Sequence, residues 1–327
     1  MSTDSDKAQA QQADRGRPPV IRPVVVYPYK QPCDVEGLRK LFGALKKLEG
    51  DSRFARPNTV VNNQTRYRSS AERNRDSKLV AAFDVAMNEV VQPVSSVTET
   101  WAVDSCALWL RGLGDAFLGA EQEQGIHDVF WLIPGDFDYA TKEGEGALEK
   151  LSEIPLVVLD GRAEICLGEI SVPLNSSKQL IDTYGTYGLL YNWFPSEAQG
   201  IREVTSKPRS EFFALNYPTL EKALIDSRWY AYEQTLMILL QNMKGRTPVR
   251  RISRIELGYI SDEESTRSTL SAAMQQVERT ERALKLFWRE KAESEARPNW
   301  KDDFRRLDAQ SESVRTSAMV ILRRLLN

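Results

Sequence analysis

Hydrophobic positions in the first half of the chain follow two alternating patterns. VIRPVVVYPY from Val20, PNTVVN from Pro57, VTETWAV from Val97 and HDVFWLI from His127 are short, continuous and rich in β-branched or aromatic residues. Such runs read as strands buried on both faces. Between them apolar residues recur every three or four positions. Leu38, Leu41, Phe42, Leu45 and Leu48 follow the N-cap candidate Asp34, and Leu79, Val80, Phe83, Val85 and Met87 follow an arginine-rich stretch. CALWLRGLGDAFL from Cys106 reads as a helix whose Gly112 and Gly114 permit close packing. Thr141 caps a helix running to about Leu151, and IPLVVLDGR reads as a further strand ending sharply at Asp160-Gly161. Alternating strands and helices predict an α/β fold, with a mainly parallel central sheet and helices on both faces.

The pattern then changes. The region from Ser171 to Asn216 is aromatic, glycine-bearing and fits neither period. Ser196 and Gln199 make a capping box for a helix over Glu197 to Val204, and Thr219 opens a longer helix to about Asn242. Ser261 and Glu264 form another capping box. Beyond it Leu270, Val277 and Leu284 repeat every seven residues, with Ala273, Thr280 and Phe287 between them. Pro298 interrupts the stripe and Asn299 caps a second one: Phe304, Leu307, Ser311, Val314, Ala318, Ile321 and Leu325. Two such stripes predict an antiparallel α-helical hairpin. It packs on the preceding domain, pairs with another copy of the chain, or lies on a membrane surface through Arg305, Arg306, Arg315, Arg323 and Arg324. The organisation expected is a disordered tail at 1–19, one domain at 20–258 and the hairpin extension at 259–327.

Composition narrows the chemistry. Of 327 residues, 41% are hydrophobic and 28% charged, as in globular proteins. Lys and Arg total 44 against 46 Asp and Glu, a net charge of −2, which disfavours a nucleic-acid coat. No run approaches the roughly 20 apolar residues of a membrane span. The polar N-terminus lacks the apolar centre of a signal peptide. Cys33, Cys106 and Cys166 are odd in number and far apart, as reduced thiols in a cytoplasmic chain are. His127 is the sole histidine, so acid–base work falls to carboxylates.

The acids that stand out are Asp136 and Asp138 in IPGDFDY, just past an apolar strand. Two apart in extended chain, their carboxylates share one side and Phe137 turns to the other. Open α/β sheets bind ligands at that edge. Mg²⁺ or Mn²⁺ needs only one or two protein carboxylates if a diphosphate supplies more oxygens. The competing reading is a solvated turn whose acids cap the helix near Thr141.

With VVVYPYK as first strand and HDVFWLIPGDFDY as strand and DxD motif, the chain resembles the GT-A class of nucleotide-sugar glycosyltransferases, family 2 type, over about Val20 to Asp160. The resemblance implies a sugar moved from a UDP- or GDP-sugar to an acceptor hydroxyl. Tyr27, Pro28 and Tyr29 would touch base and ribose, Asp136 ribose and metal, and Asp138 metal and diphosphate. Asn62-Asn63 replaces the acid usual after the second strand, and either contacts the donor or makes a turn. Asp104 would contact the donor or cap the next helix. An inverting transfer needs a carboxylate base. Glu233, in the aromatic RWYAYEQTL, is first choice and Asp182 second. Arg209 grips phosphate or forms an ion pair. Tyr184, Tyr187, Tyr191, Trp193 and Phe194 form an acceptor platform or a packed patch. The acceptor is a glycan, a lipid-linked group or a small molecule. The other reading is a non-enzymatic GT-A-like scaffold working through its helical C-terminus. No glycine-rich basic loop or GxGxxG follows the first strand, against a pyrophosphorylase or a Rossmann oxidoreductase.

Overall fold

The computed structural model describes residues 17–28, 34–62, 77–100, 105–171, 176–225, 234–243, 252–260 and 270–326. In chain order the elements are β1 (Ile21–Tyr27), α1 (Val35–Lys46), β2 (Asn58–Asn62), α2 (Ser77–Val85) running into a π-turn (Ala86–Val91), β3 (Ser96–Thr100) and α3 (Ser105–Gln122). Then come β4 (Val129–Pro134), α4 (Lys142–Leu151), α5 (Glu153–Leu159), β5 (Ile165–Ser171) and α6 (Ser177–Leu180), the last running into a second π-turn (Ile181–Thr186). α7 (Tyr187–Trp193), α8 (Pro195–Val204), β6 (Phe212–Asn216), α9 (Tyr217–Ile225), α10 (Gln234–Asn242), β7 (Ile252–Tyr259), α11 (Leu270–Ser294) and α12 (Trp300–Leu326) complete it.

The strands form one mixed sheet of order β3-β2-β1-β4-β6-β5-β7, parallel except where β6 runs antiparallel between β4 and β5. Side-chain alternation divides the core in two. Val24, Val26, Phe130, Leu132, Phe213 and Leu215 face α3 and the later helices. Ile21, Val25, Trp131, Ile133, Phe212 and Ala214 face α1, α2, α4 and α5. All six residues of β4 are buried, because helices cover both of its faces. Gly112 does allow close packing: a Cβ there would lie 2.6 Å from Val24 Cγ1. At Gly114 the same position is open space.

Several local expectations are corrected. IPLVVLDGR is not a strand but mostly α5, in which Ile154, Val157 and Val158 are buried at helical spacing. A short apolar run has no decisive period, and Pro155 in the first turn costs no interior hydrogen bond. The true strand, β5, follows it. Ser196 does not cap α8: Pro195 occupies the first turn and Phe194, the preceding residue, makes no side-chain cap. Asn216 rather than Thr219 begins α9, its Oδ1 accepting from Thr219 N at 3.1 Å. The long helix expected from Thr219 to Asn242 is two helices, α9 and α10, with 226–233 outside the described residues. The capping box at Ser261 and Glu264 also lies outside them.

The two long helices are antiparallel, tied by Lys285 to Asp308 and by Arg315 Nε to Glu281 at 3.3 Å. They are docked on the body. Trp193 of α7 packs against Trp288 and Phe304, and its Nε1 donates to Ser311 Oγ at 3.0 Å. Ser311 in turn donates to the buried Glu281 at 2.7 Å. Phe194 packs on Phe287. Tyr187, Trp193 and Phe194 are therefore core, while Tyr184 and Tyr191 are exposed.

At the opposite end of β4 lies a buried ion cluster. Asp128, fully buried, accepts from Arg17 Nη2 at 2.5 Å, Arg22 Nε at 2.6 Å and the Val20 amide at 3.1 Å. Asp128→Ala strands these donors and is expected to cost about 3 kcal/mol in urea unfolding, the scale of a broken buried pair.

Burial pushes the Cys166 thiol up from 9.0 to about 12 and raises the hydroxyls of Tyr139 and Tyr187. The unfolded chain loses these protons first as pH rises, so the folded state holds more protons and stability falls. For Cys166 the contribution is complete below pH 9 and erodes towards 12 at about 1.4 kcal/mol per pH unit. Between pH 8 and 11 the wild type should lose about 3 kcal/mol more than Cys166→Ala in urea titrations.

Candidate functional site

After β3 the sheet stops growing on one side of β1 and restarts on the other with β4. That reversal is a topological switch point, and the crevice at the carboxyl ends of β1 and β4 is where open α/β sheets take ligands. Asp136 and Asp138 stand at this crevice. The Gly135 amide donates to Val26 O at 2.7 Å, so β4 follows β1 one residue past its own end. A Cβ on Gly135 would lie 3.2 Å from Val25 Cγ1 and 3.3 Å from Val26 O, which is why glycine suits the position.

The turn beyond is held from both sides. Phe137 is buried on Phe212, with centroids 4.9 Å apart, while Asp136 and Asp138 are half-buried. The Tyr139 hydroxyl, fully buried, donates back to Pro134 O at 2.5 Å. Its pKa is raised by burial first and then by the charges of Asp136 and Glu211, so both carboxylates act on one hydroxyl. Thr141 caps α4, accepting from Gly144 N at 3.1 Å. The Asp138 carboxylate accepts only a long bond, 3.3 Å, from Ala140 N. The acid pair is thus not the cap of α4.

On the other side of β1, Asn62 ends β2 next to Pro28, since Val61 pairs with Tyr27. Asn62 is 7% exposed and, among the described residues, its Oδ1 has no hydrogen-bond partner. A buried acceptor left unmatched costs roughly 1–3 kcal/mol. Tyr27 is buried, its ring stacked on Phe83 at 6.3 Å, and Pro28 is half-buried. Tyr29, Asp104 and Glu233 lie outside the described residues.

A cavity of about 60 Å³ adjoins the acid turn, lined by Phe137, Ile170, Asp182, Lys207, Arg209, Ser210, Glu211, Phe212 and Gln276. Because β6 is antiparallel, its amino end reaches the edge where β1, β4 and β5 end. Asp182 sits in the second π-turn and accepts from Arg209 Nε at 2.8 Å; both side chains are largely buried. Arg209 Nη1 donates to Gln276 Oε1 of α11 at 3.0 Å. Arg209 is thus committed to a buried pair inside the cavity. Gln276 and Ser210 also line the cavity, and neither carries a local sequence signal. Gln276 sits beside Val277 in a heptad stripe, and nothing in that stripe marks it. Lys207, Arg209 and Glu211 read from the sequence as one polar turn, whereas Ser210 becomes visible only once FFALN is recognised as an antiparallel strand.

Among the described residues, no group of three or more His, Cys, Asp or Glu could hold a metal by itself. No helix among them is long and apolar enough to cross a membrane. No protein-family model matches the chain, and no curated protein matches it.

Arg209→Ala would leave Asp182 buried without its cation, at an expected cost of about 3 kcal/mol. In a double-mutant cycle with Asp182→Ala, urea unfolding should show a coupling of at least about 1 kcal/mol. Strict additivity would mean the pair is not an energetic unit.

Proposed function

We propose that the chain is a metal-dependent glycosyltransferase of GT-A type, moving a sugar from a nucleoside-diphosphate donor to an acceptor hydroxyl. The observation that carries this reading is the half-buried Asp136/Asp138 pair at the β1/β4 switch point, not used to cap α4. Two carboxylates suit a hard cation only in part, and diphosphate oxygens would complete the shell. Asp136 and Asp138 would hold Mn²⁺ or Mg²⁺, which offsets the charge on the departing diphosphate. The Asn62 Oδ1, unmatched among the described residues, supports the reading, because it is an acceptor that would take a ring N–H of the base. Pro28 and the main chain at the end of β1 would flank the base and ribose.

Transfer with inversion requires a carboxylate to take the acceptor's proton as the sugar carbon is attacked. Glu233 remains the candidate base. Asp182 is the alternative within the described residues, and it would act only on release from Arg209, which holds it at 2.8 Å. Tyr139 keeps the acid turn in place, and Phe137 seals its underside against Phe212.

Titration calorimetry with UDP and with GDP, with and without Mn²⁺, tests this. One nucleotide should bind in a metal-dependent manner, and Asp138→Ala should weaken it at least tenfold while the circular dichroism spectrum is unchanged. Absence of binding, or binding indifferent to Mn²⁺ and to Asp138→Ala, would overturn the proposal.

A further inference from the structure

We propose that another cavity, at the amino edge of the sheet, binds a free α-amino acid with an apolar side chain, its carboxylate at Arg56 and its ammonium at Glu49. The cavity measures about 220 Å³ and lies between the end of α1, the start of β1, the segment before β2 and Pro93. Pro23 lines it, four residues before Tyr27, so about 13 Å of β1 separate it from the carboxyl edge. This site therefore stands apart from the acid turn, whatever chemistry that turn carries.

Three features lead there. The first is an apolar floor that is already formed. Pro23, Leu45 and Pro57 are buried in it, with Leu48 and Phe54 half-buried beside them. The proline rings fix their own φ, which limits how far the wall can relax. Phe54 is pinned from both sides. Ile21 N donates to Arg53 O at 2.7 Å, Ala55 N donates to Ile21 O at 2.8 Å, and the Phe54 ring meets Trp131 edge-on at 6.3 Å. Small-molecule sites are commonly such preformed apolar concavities with a few placed polar groups. The second is the nature of those polar groups. Proline has no N–H to offer, and the amides of Leu48, Glu49, Phe54 and Ala55 are bonded within the protein. Recognition falls to the side chains of Glu49 and Arg56, opposite in charge and both exposed at the rim. Among the described residues Glu49 has no ion-pair partner, and Arg56 spends only Nη2, on Gln92 O at 2.9 Å. The third is size. An apolar cavity of roughly 150 Å³ takes benzene, so this one has room for a leucine or phenylalanine side chain.

Together these features select one ligand class. A hydrocarbon would cover the floor and leave both charges unused. An apolar carboxylate would meet Glu49 as well as Arg56, and an apolar amine would meet Arg56 as well as Glu49. An α-amino acid carries ammonium, carboxylate and apolar group on a single carbon, so one small molecule answers anion, cation and floor at once. Gln92 O occupies one donor of Arg56 and leaves the rest of the guanidinium fork for a carboxylate.

Saturation-transfer NMR on the full chain, with L-leucine and L-phenylalanine as probes, provides the test. N-acetyl-leucine lacks the ammonium, leucinamide lacks the carboxylate, and 4-methylpentanoate is the purely anionic probe. At least one amino acid should receive saturation, strongest on its side-chain protons. The capped forms should receive about fivefold less, the scale of one partly exposed charge contact. Arg56→Gln and Glu49→Gln, both at exposed positions, should each lower amino-acid saturation by a similar factor with an unchanged circular dichroism spectrum. Arg56→Gln should leave leucinamide unaffected, and Glu49→Gln should leave N-acetyl-leucine unaffected. No transfer to either amino acid, equal transfer to the capped forms, or indifference to both substitutions would overturn the inference. Preference for 4-methylpentanoate over leucine would also overturn it, in favour of a site for apolar anions.

Discussion

The Gly135 amide bonded to Val26 O is the contact on which the carboxyl edge depends. It carries β4 across the end of β1 at full pairing distance, and the absence of a Cβ lets the turn lie flat on Val25 and Tyr27. From there the chain has little freedom. Phe137 goes into the core against Phe212, and Tyr139 returns its hydroxyl to Pro134 O. The two aspartates are what remains outside. Their half-exposure follows from the hydrophobic anchoring on either side.

The antiparallel β6 is the second constraint. A parallel strand in that place would send its amino end to the opposite edge. Running backwards, β6 brings Lys207 through Glu211 to the acid turn, between the ends of β4 and β5. The second π-turn and α11 then close the space from one side, with the Asp182–Arg209–Gln276 chain as the tie. Tyr187 strengthens that wall by donating to Thr205 O at 2.5 Å, and Thr205 donates to the buried Glu169 of β5. Two short polar chains therefore tie the parts together, one joining the π-turn to the hairpin and the other α7 to the sheet.

Much of this architecture was legible in the residues. β1, β2 and β4 are continuous apolar runs, α1 and α4 carry their caps at Asp34 and Thr141, and both hairpin stripes are periodic. The legible part stops where both strand and helix solutions bury the same residues. In EIPLVVL the apolar run is short enough for either, and packing beneath the sheet decides for helix. FFALN is hidden because it lies at the end of an aromatic stretch without a clear period and pairs with strands far away in sequence. Asp136 and Asp138 could be found because their spacing and their place after a strand are local facts. The cavity could not: Asp182, Arg209 and Gln276 meet only through tertiary packing, and each is an ordinary polar residue in its own segment.

The larger of the two cores joins Val24 of β1 to Leu322 of α12 in a single hydrophobic cluster. Trp193 and Trp288 pack on Phe304 of α12, and Phe194 on Phe287 of α11. During synthesis the nascent polypeptide therefore carries these aromatic faces only partly covered until both long helices have left the ribosome. The layer on α1, α2, α4 and α5 needs nothing later than Ile260 and can condense earlier. In the living cell, the window of aggregation hazard for this protein is the time taken to translate its helical hairpin.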